Sequence, residues 1–434
     1  MISRALTLSR TYMFPTLFEG VIFLYFITLS ADLLNVEIGL FKAKLNHLLA
    51  LLLGISVLAS KKVLVIERKI VQSFFVILVS LALSMFLSSY FERCLGYLCI
   101  YLFYFLFYFI IPFNLVLHEE SSKIFKLYGF SFACVGVFAF LQLALSLLGI
   151  DPPYVQQKIQ EIARPNGFSY EPSYYALYMT IFVMWWNAKK LLAPTFFLGK
   201  RDVLRFLLVN GLLLLSTATS AFFSYFVFAF VFLVFPLKDF PWAKRNFLKV
   251  SLVFTICFLI PAAIFWSFYL TTFFKFFTFE FYLHHSFAER WESIKNCFQI
   301  FLSHPFFGVG LGGISPLLFQ EGKGQSSSYD LEEISIFEPS NMFTEMLASL
   351  GVVGFFSFLF LSYAFFSKFL QVVRNPFINK EEKKLATAFF LSLITIILAL
   401  QFNQGLFRGY IWVHAALTYG YLQRLSNTNR VPSM

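Results

Sequence analysis

Two arginines far apart in the chain, Arg164 and Arg290, lie beside stretches that read as helix starts, and a cation next to a helix N-terminus is suited to holding an anion. Around the first, Arg164-Pro-Asn-Gly-Phe-Ser-Tyr-Glu171-Pro-Ser predicts a tight turn at Pro165, Asn166 and Gly167, then a helix with Pro172 at its first position. The free amides and the positive dipole end of that helix point toward the neighbourhood of Arg164, which suits a phosphate. Anchoring at lipid headgroups is the other reading of Arg164, since Arg takes that place routinely near span ends.

Around the second, Ser286-Phe-Ala-Glu289 fits a capping box. Phe287, Trp291, Ile294, Phe298 and Phe301 then recur at helical spacing, which predicts an amphipathic helix lying over a membrane or over a helix bundle and ending at His304-Pro305. Arg290 falls in the first turn of that helix, where a cation opposes the dipole unless an anion is close. A plain surface helix with Arg290 solvated, or paired to Glu289 or Glu292, is the alternative. Gly308-Val-Gly-Leu-Gly-Gly313 matches a dinucleotide fingerprint by letters but follows a helix instead of a strand, which argues against that use. Gly308, Gly310 and Gly312 predict a loop whose amides can approach an oxyanion or a sugar, or one that simply hinges. Glu338-Pro-Ser-Asn341 ends the polar stretch, with Ser340 or Asn341 as a helix cap, and it echoes Glu171-Pro-Ser.

The elements that must position these residues are membrane helices. A composition of 59% hydrophobic and 13% charged residues, with a mean hydropathy of +0.74, excludes a water-soluble globule and gives an all-α polytopic membrane protein. Twelve apolar stretches can each cross a bilayer, near residues 13–32, 45–59, 70–89, 95–117, 128–149, 172–188, 203–219, 220–236, 250–270, 343–369, 385–402 and 403–422. With the N-terminus inside, the inner segments hold 24 of the 34 Lys and Arg residues and the outer ones nine. That asymmetry places both termini in the cytoplasm and the polar loop outside. The chain then divides into spans 1 to 9 over residues 1–270, with an outer loop at 150–171, a large outer loop over 271–342, and spans 10 to 12 with an inner tail over 343–434. The net charge of +11 follows from this topology and suits anionic lipid, not nucleic acid.

Arg4 and Arg10 precede an apolar run too long for a signal-peptide core, so an uncleaved first span is expected. Cys99, Cys134 and Cys257 sit in apolar stretches as small hydrophobes; Cys94 and Cys297 can both face an oxidising exterior, with no geometry in the sequence to pair them. Within the spans only Glu19, Gln404 and Arg408 are polar enough to mark an intramembrane site, Arg408 either paired to Glu19 or serving as a further phosphate contact.

The Arg164-Pro-Asn-Gly-Phe-x-x-Glu171-Pro turn, the Glu289-Arg-Trp helix with His304-Pro-Phe-Phe-Gly-Val-Gly-Leu-Gly-Gly313, and Ser340-Asn341-x-x-x-Glu345-x-Leu-Ala-x-Leu-Gly-Val-Val-Gly354 resemble the O-antigen polymerase and ligase superfamily (Wzy and WaaL types). The resemblance covers about residues 151–356. It departs at one point: ligases of the superfamily carry a His shortly before the tenth-span helix, where this chain has Pro339-Ser340.

That resemblance implies a GT-C-like bundle of about twelve spans and an inverting glycosyl transfer from an undecaprenyl-diphosphate-linked glycan. Arg164 and Arg290 are then assigned to the diphosphate, since guanidinium forks grip phosphate oxygens and stay charged. A carboxylate near the lipid boundary is suited to taking the acceptor's hydroxyl proton, with Glu338 placed first because it stands closest to the ligase His, then Glu171 and Glu345. Asn341 and the glycine loop would face the glycan. No Asp-x-Asp or His cluster with metal-ligand spacing occurs in an outer loop, so neither metal nor cofactor is expected. The missing His favours a polymerase acting on a lipid-linked acceptor at the inner membrane's periplasmic face, with a chain-length regulator as a further partner. A ligase delivering glycan to lipid A core is the alternative within the same chemistry, and a transporter or flippase the alternative outside it.

Overall fold

The computed structural model describes residues 17–38, 41–60, 64–155, 157–159, 162–194, 200–216, 218–235, 240–247, 285–320, 339–402 and 407–428. Its helices are α1 (Leu17–Ser30), α2 (Leu45–Ala59), α3 (Arg68–Leu87), α4 (Phe91–His118) and α5 (Ser121–Leu147). They continue as α6 (Pro172–Leu191), α7 (Lys200–Leu214), α8 (Thr219–Val234), α9 (His285–Ser303), α10 (Ile314–Leu318), α11 (Met342–Arg374), α12 (Lys380–Ala399) and α13 (Gly409–Thr428). Helices stand over every apolar stretch named above except 250–270, which lies outside the described residues. Four of them, α3, α4, α5 and α11, are long and apolar enough to cross a membrane. The chain is an all-α polytopic membrane protein. Strand among the described residues is confined to two antiparallel hairpins in connections, β1 (Asn35–Ile38) with β2 (Phe41–Lys44) and β3 (Lys158–Ile159) with β4 (Ile162–Ala163).

The bundle is sorted by burial. Tyr175, Leu177, Tyr178, Ile181 and Val183 on α6, and Phe389, Leu391 and Ile396 on α12, are wholly enclosed. These two helices pack along each other at the centre. Enclosure lets α6 carry polar groups that a lipid-facing helix could not: Thr180 Oγ1 meets Ser224 of α8 at 3.3 Å, and Asn187 exchanges hydrogen bonds with Asn210 of α7 at 2.8 and 3.2 Å. Such groups lower its hydropathy, although 172–188 is still legible as a span in the sequence. Peripheral helices instead present large apolar side chains outward, including Phe75 and Phe86 on α3, Phe130 and Phe140 on α5, and Phe226 and Phe230 on α8. That is the surface lipid requires.

α6 and α11 both start at the same end of the bundle, called the upper end here. Contacts of Leu33 with Phe168, Ser88 with Val309, Asn341 with Gln401 and Asp32 with Arg408 gather the described residues of the connections there. Glu67, Lys368 and Tyr419 meet at the other end, Lys368 Nζ 3.4 Å from Glu67 and Tyr419 Oη donating to the same carboxylate at 2.6 Å.

Candidate functional site

The Arg164 turn is fastened from three sides. Gln142 of α5 accepts from the amides of Asn166 and Gly167 through its Oε1, at 3.2 and 2.9 Å, while its Nε2 donates to the Gly167 and Pro153 carbonyls. The buried Asn166 Nδ2 donates to the carbonyls of Tyr154 and Ser169, and Ser169 Oγ donates to Ser30 at the end of α1. Gly167 takes φ +57°, a left-handed conformation that glycine adopts at no steric cost. Arg164 follows β4, half-buried, its amide and Nη1 both donating to Gln157, at 2.9 and 2.7 Å. Glu171 occupies the N-cap position of α6 with Pro172 next, and its carboxylate accepts from Ser173 Oγ at 2.9 Å.

The second helix start is capped as its sequence predicts. Asn341 Oδ1 accepts from the Thr344 amide at 2.9 Å. Its Nδ2 donates to the carbonyl of Gln401, whose own Oε1 accepts from the Phe343 amide. Glu345 lies in the first turn of α11, half-buried. Burial pushes the Cys297 thiol up to about 12, with the charge of Glu345 adding to it. Cys94 and Cys297 are both buried free thiols. Glu338, the first choice of base, and the side chains of the Ser286–Glu289 capping box lie outside the described residues. α9 begins at His285, which puts the half-buried Arg290 in its second turn, deeper than the box alone places it. Ser293, one turn further on, accepts from the Ser340 amide at 3.1 Å, so α9 and the start of α11 touch beside Arg290.

The glycine loop is bound by its backbone to a break in α11. At Gly351 the helix takes φ +64° and ψ −165°, and the groups this frees are paired across to residues 305–310. Val309 and Gly310 amides donate to the Ala348 and Ser349 carbonyls at 3.0 and 2.9 Å, and the Val352 amide donates to the Pro305 carbonyl at 2.8 Å. Gly308, Gly310 and Gly312 all have positive φ. A Cβ on Gly308 would lie 2.3 Å from the Ser349 backbone, and one on Gly312 would strike the Tyr97 ring. The amides at 309 and 310 are therefore engaged with α11, and close packing accounts for the glycines. The loop is a clamp, where the sequence left an anion cradle and a hinge both open.

Arg408 provides the link that the sequence did not. It lies in the connection between α12 and α13, with Nη1 3.1 Å from Asp32 Oδ2, while Lys44 Nζ holds the other oxygen, Oδ1. Its guanidinium stacks 3.5 Å above the Tyr174 ring, in the first turn of α6. Glu19, the partner in one of the two readings of Arg408, lies instead near Lys123, at 3.8 Å, because the length of α1 separates it from Asp32. Burial alone would raise the Asp32 carboxyl, but Lys44 and Arg408 outweigh that and hold it below the usual carboxylate range. Two cations on one carboxylate leave an excess positive charge. Asp32, Lys44, His47, Tyr104, Arg408 and Tyr410 surround a cavity of about 10 Å³. Asp32, Lys44, Tyr174 and Gln401 were not picked out in the sequence. The available signal was Arg408 itself, a lone cation in an apolar run, which demands a carboxylate from an element ending at the same level.

The 400–408 connection thus touches both helix starts, Asn341 through Gln401 and the Glu171 turn through Arg408 and Tyr174. Residues 203–359, from α7 through the clamp and into α11, match the family model Wzy_C, described as O-Antigen ligase. No curated protein matches the chain in sequence. The match lends the region an O-antigen-processing character at family level and leaves the Arg164 turn, Asp32 and Arg408 outside its bounds.

Proposed function

We propose, from the match of residues 203–359 to a family model described as O-Antigen ligase, that the chain is a glycosyltransferase of the O-antigen polymerase and ligase superfamily that polymerises a surface polysaccharide. The donor is an undecaprenyl-diphosphate-linked glycan and the acceptor a lipid-linked repeat unit. The upper end faces the periplasm, and both termini lie in the cytoplasm. The observation that carries this reading is the 400–408 connection. By contacting both helix starts, it brings the Glu171 and Glu345 neighbourhoods to one end of the bundle, the end that also carries Arg164 and Arg290.

In the reaction, the acceptor hydroxyl oxygen forms a bond to the donor's anomeric carbon while the bond from that carbon to the diphosphate oxygen breaks, with inversion. A carboxylate takes the hydroxyl proton, and Glu338, Glu171 and Glu345 are the candidates in that order. Arg164 and Arg290 stabilise the charge that builds on the departing diphosphate. Asn341 lies at the glycan side. Pro339-Ser340 stands where ligases of the superfamily have a His, which supports polymerisation over transfer to lipid A core.

The glycan ladder tests this. Arg290→Ala in a strain with an intact ligase should give lipid A core bearing single repeat units and no long chains. If single units also disappear, ligation becomes the better reading. Retained long chains would remove Arg290 from the mechanism, and near-normal ladders with Glu338→Gln would discard that residue as the base.

A further inference from the structure

We propose that the last turn of α9, with Phe306 just beyond it, is a shallow lipid anchor lodged in the upper edge of the bilayer beside α11. This inference rests on the membrane assignment and not on the proposed reaction.

α9 is apolar on two faces. Cys297 and Ile300 pack inward with Val309, Ile314, Leu318 and Ala348. On the outward side Phe298, Leu302 and Phe306 are 49%, 62% and 67% exposed. A helix with apolar side chains facing both ways is not a water-facing helix, and a run of exposed large apolar groups marks a membrane or a partner. The charged residues of the outward side come earlier in the helix, where Glu292 and Lys295 pair at 2.7 Å and Lys295 lies over the Trp291 ring, while Gln299, Ser303 and His304 stand exposed beside the apolar stripe in the later turns. The helix therefore carries no charged side chain in the turns that hold Phe298 and Leu302.

α11 supplies the depth. The Ser340 amide meets Ser293 Oγ, and further along both segments the Val352 amide meets the Pro305 carbonyl, so α9 descends alongside the first turns of α11. α11 has 33 residues, whereas about 20 suffice to cross the hydrocarbon. Lys368 and Arg374 mark its lower end, and about 20 residues counted back from Lys368 reach the break near Gly351. The Phe306 carbonyl accepts from the Val353 amide just past that break. Phe306 is thus level with the hydrocarbon edge and one turn above Phe356, which is 66% exposed on the same helix. This continuity with the lipid-facing surface of α11 assigns the stripe to lipid. A tip held at that depth fixes the height of Arg290, further up the same rigid helix, against the headgroup layer.

The test is photocrosslinking of the full-length protein in liposomes of phosphatidylethanolamine and phosphatidylglycerol. p-Benzoylphenylalanine is placed at Phe306, at Leu302 and, as the control, at Glu292, in preparations whose size-exclusion profile matches the parent. The two independent positions keep the test valid if one of them disturbs folding. Lipid adducts at 302 and 306, with loss of the adduct at 292, are the expected result. Three outcomes overturn the proposal: no lipid adduct at 302 and 306, an adduct to other parts of the same chain, or a crosslinked pair of chains, which would assign the stripe to a second copy.

Discussion

Arg408 and Asp32 meet at the upper end of the bundle, Nη1 to Oδ2 at 3.1 Å, although 376 positions separate them in the chain. Their side chains are only 16% and 11% exposed. A buried pair of this kind is weak evidence of net stabilisation, but removing one partner strands the other. Asp32→Asn leaves Arg408 and Lys44 facing each other without a counter-charge. The expected loss is about 3 to 5 kcal/mol of stability, read as a lower unfolding temperature in detergent. Asp32→Asn combined with Arg408→Gln should cost less than the two single changes added together. Strict additivity would mean that the pair is not coupled.

The same carboxylate sets an acid limit. Burial pushes the Asp32 carboxyl up, yet Lys44 and Arg408 hold it lower still, so its folded value lies below its unfolded one. A depressed carboxylate contributes stability above its unfolded value, about 3.9, and the contribution is lost as pH falls through the folded value. Unfolding temperature should therefore show no Asp32-dependent change between about pH 5 and 8, with the wild-type advantage over Asp32→Asn shrinking only below about pH 4. An advantage that fades near neutrality would contradict the burial and pairing described here.

The fold class was legible because lipid imposes long apolar helices on a chain, and the helix starts at Pro172 and Asn341 were legible because caps are local chemistry. The contacts that join those starts are not local. Arg408 reaches an aspartate just past the end of α1 and a tyrosine on α6, and the sequence offered Glu19 with the right charge near the other end of α1. The glycine run shows a second limit. Glycine letters encode close approach without naming the approaching partner, which is the α11 backbone for Gly308, the Cys94 side chain for Gly310 and the Tyr97 ring for Gly312.

That approach makes Gly351 the most sensitive glycine of the clamp. A Cβ there would lie 2.3 Å from the Phe306 carbonyl group, and the backbone angles belong to a region used almost only by glycine. Gly351→Ala should destabilise by at least about 1 to 3 kcal/mol and release the 304–313 segment to limited proteolysis. Gly211 on α7 is the control, since a Cβ there meets nothing within 4 Å. Gly211→Ala should leave proteolysis unchanged and raise stability by up to about 1 kcal/mol.

Asn341 has two separable duties, capping α11 through Oδ1 and holding Gln401 through Nδ2. Asn341→Asp keeps the cap and loses the donor, whereas Asn341→Ala loses both. The alanine variant should lose about 1 kcal/mol more than the aspartate one, the usual worth of a cap. If the tie to Gln401 also matters for positioning Arg408, the aspartate variant should lose chain-elongation rate while keeping most of its thermal stability. Equal rates for Asn341→Asp and the parent would show that the connection holds its place without this bond.

Arg164 tests the diphosphate assignment at the other helix start. Its guanidinium donates through Nη1 to Gln157 Oε1 at 2.7 Å, which holds the fork in one orientation. Arg164→Ala should slow elongation by about 100- to 1,000-fold if the fork stabilises the departing diphosphate. Lys at this position keeps the charge and loses the fork, so Arg164→Lys should recover only a small part of that rate. Gln157→Ala leaves the charge and the fork in place but frees its orientation, and its loss should be intermediate. A Lys variant with full activity would make Arg164 a headgroup anchor, for which charge alone suffices, and would move the diphosphate contact to Arg290 or to the excess charge beside Arg408.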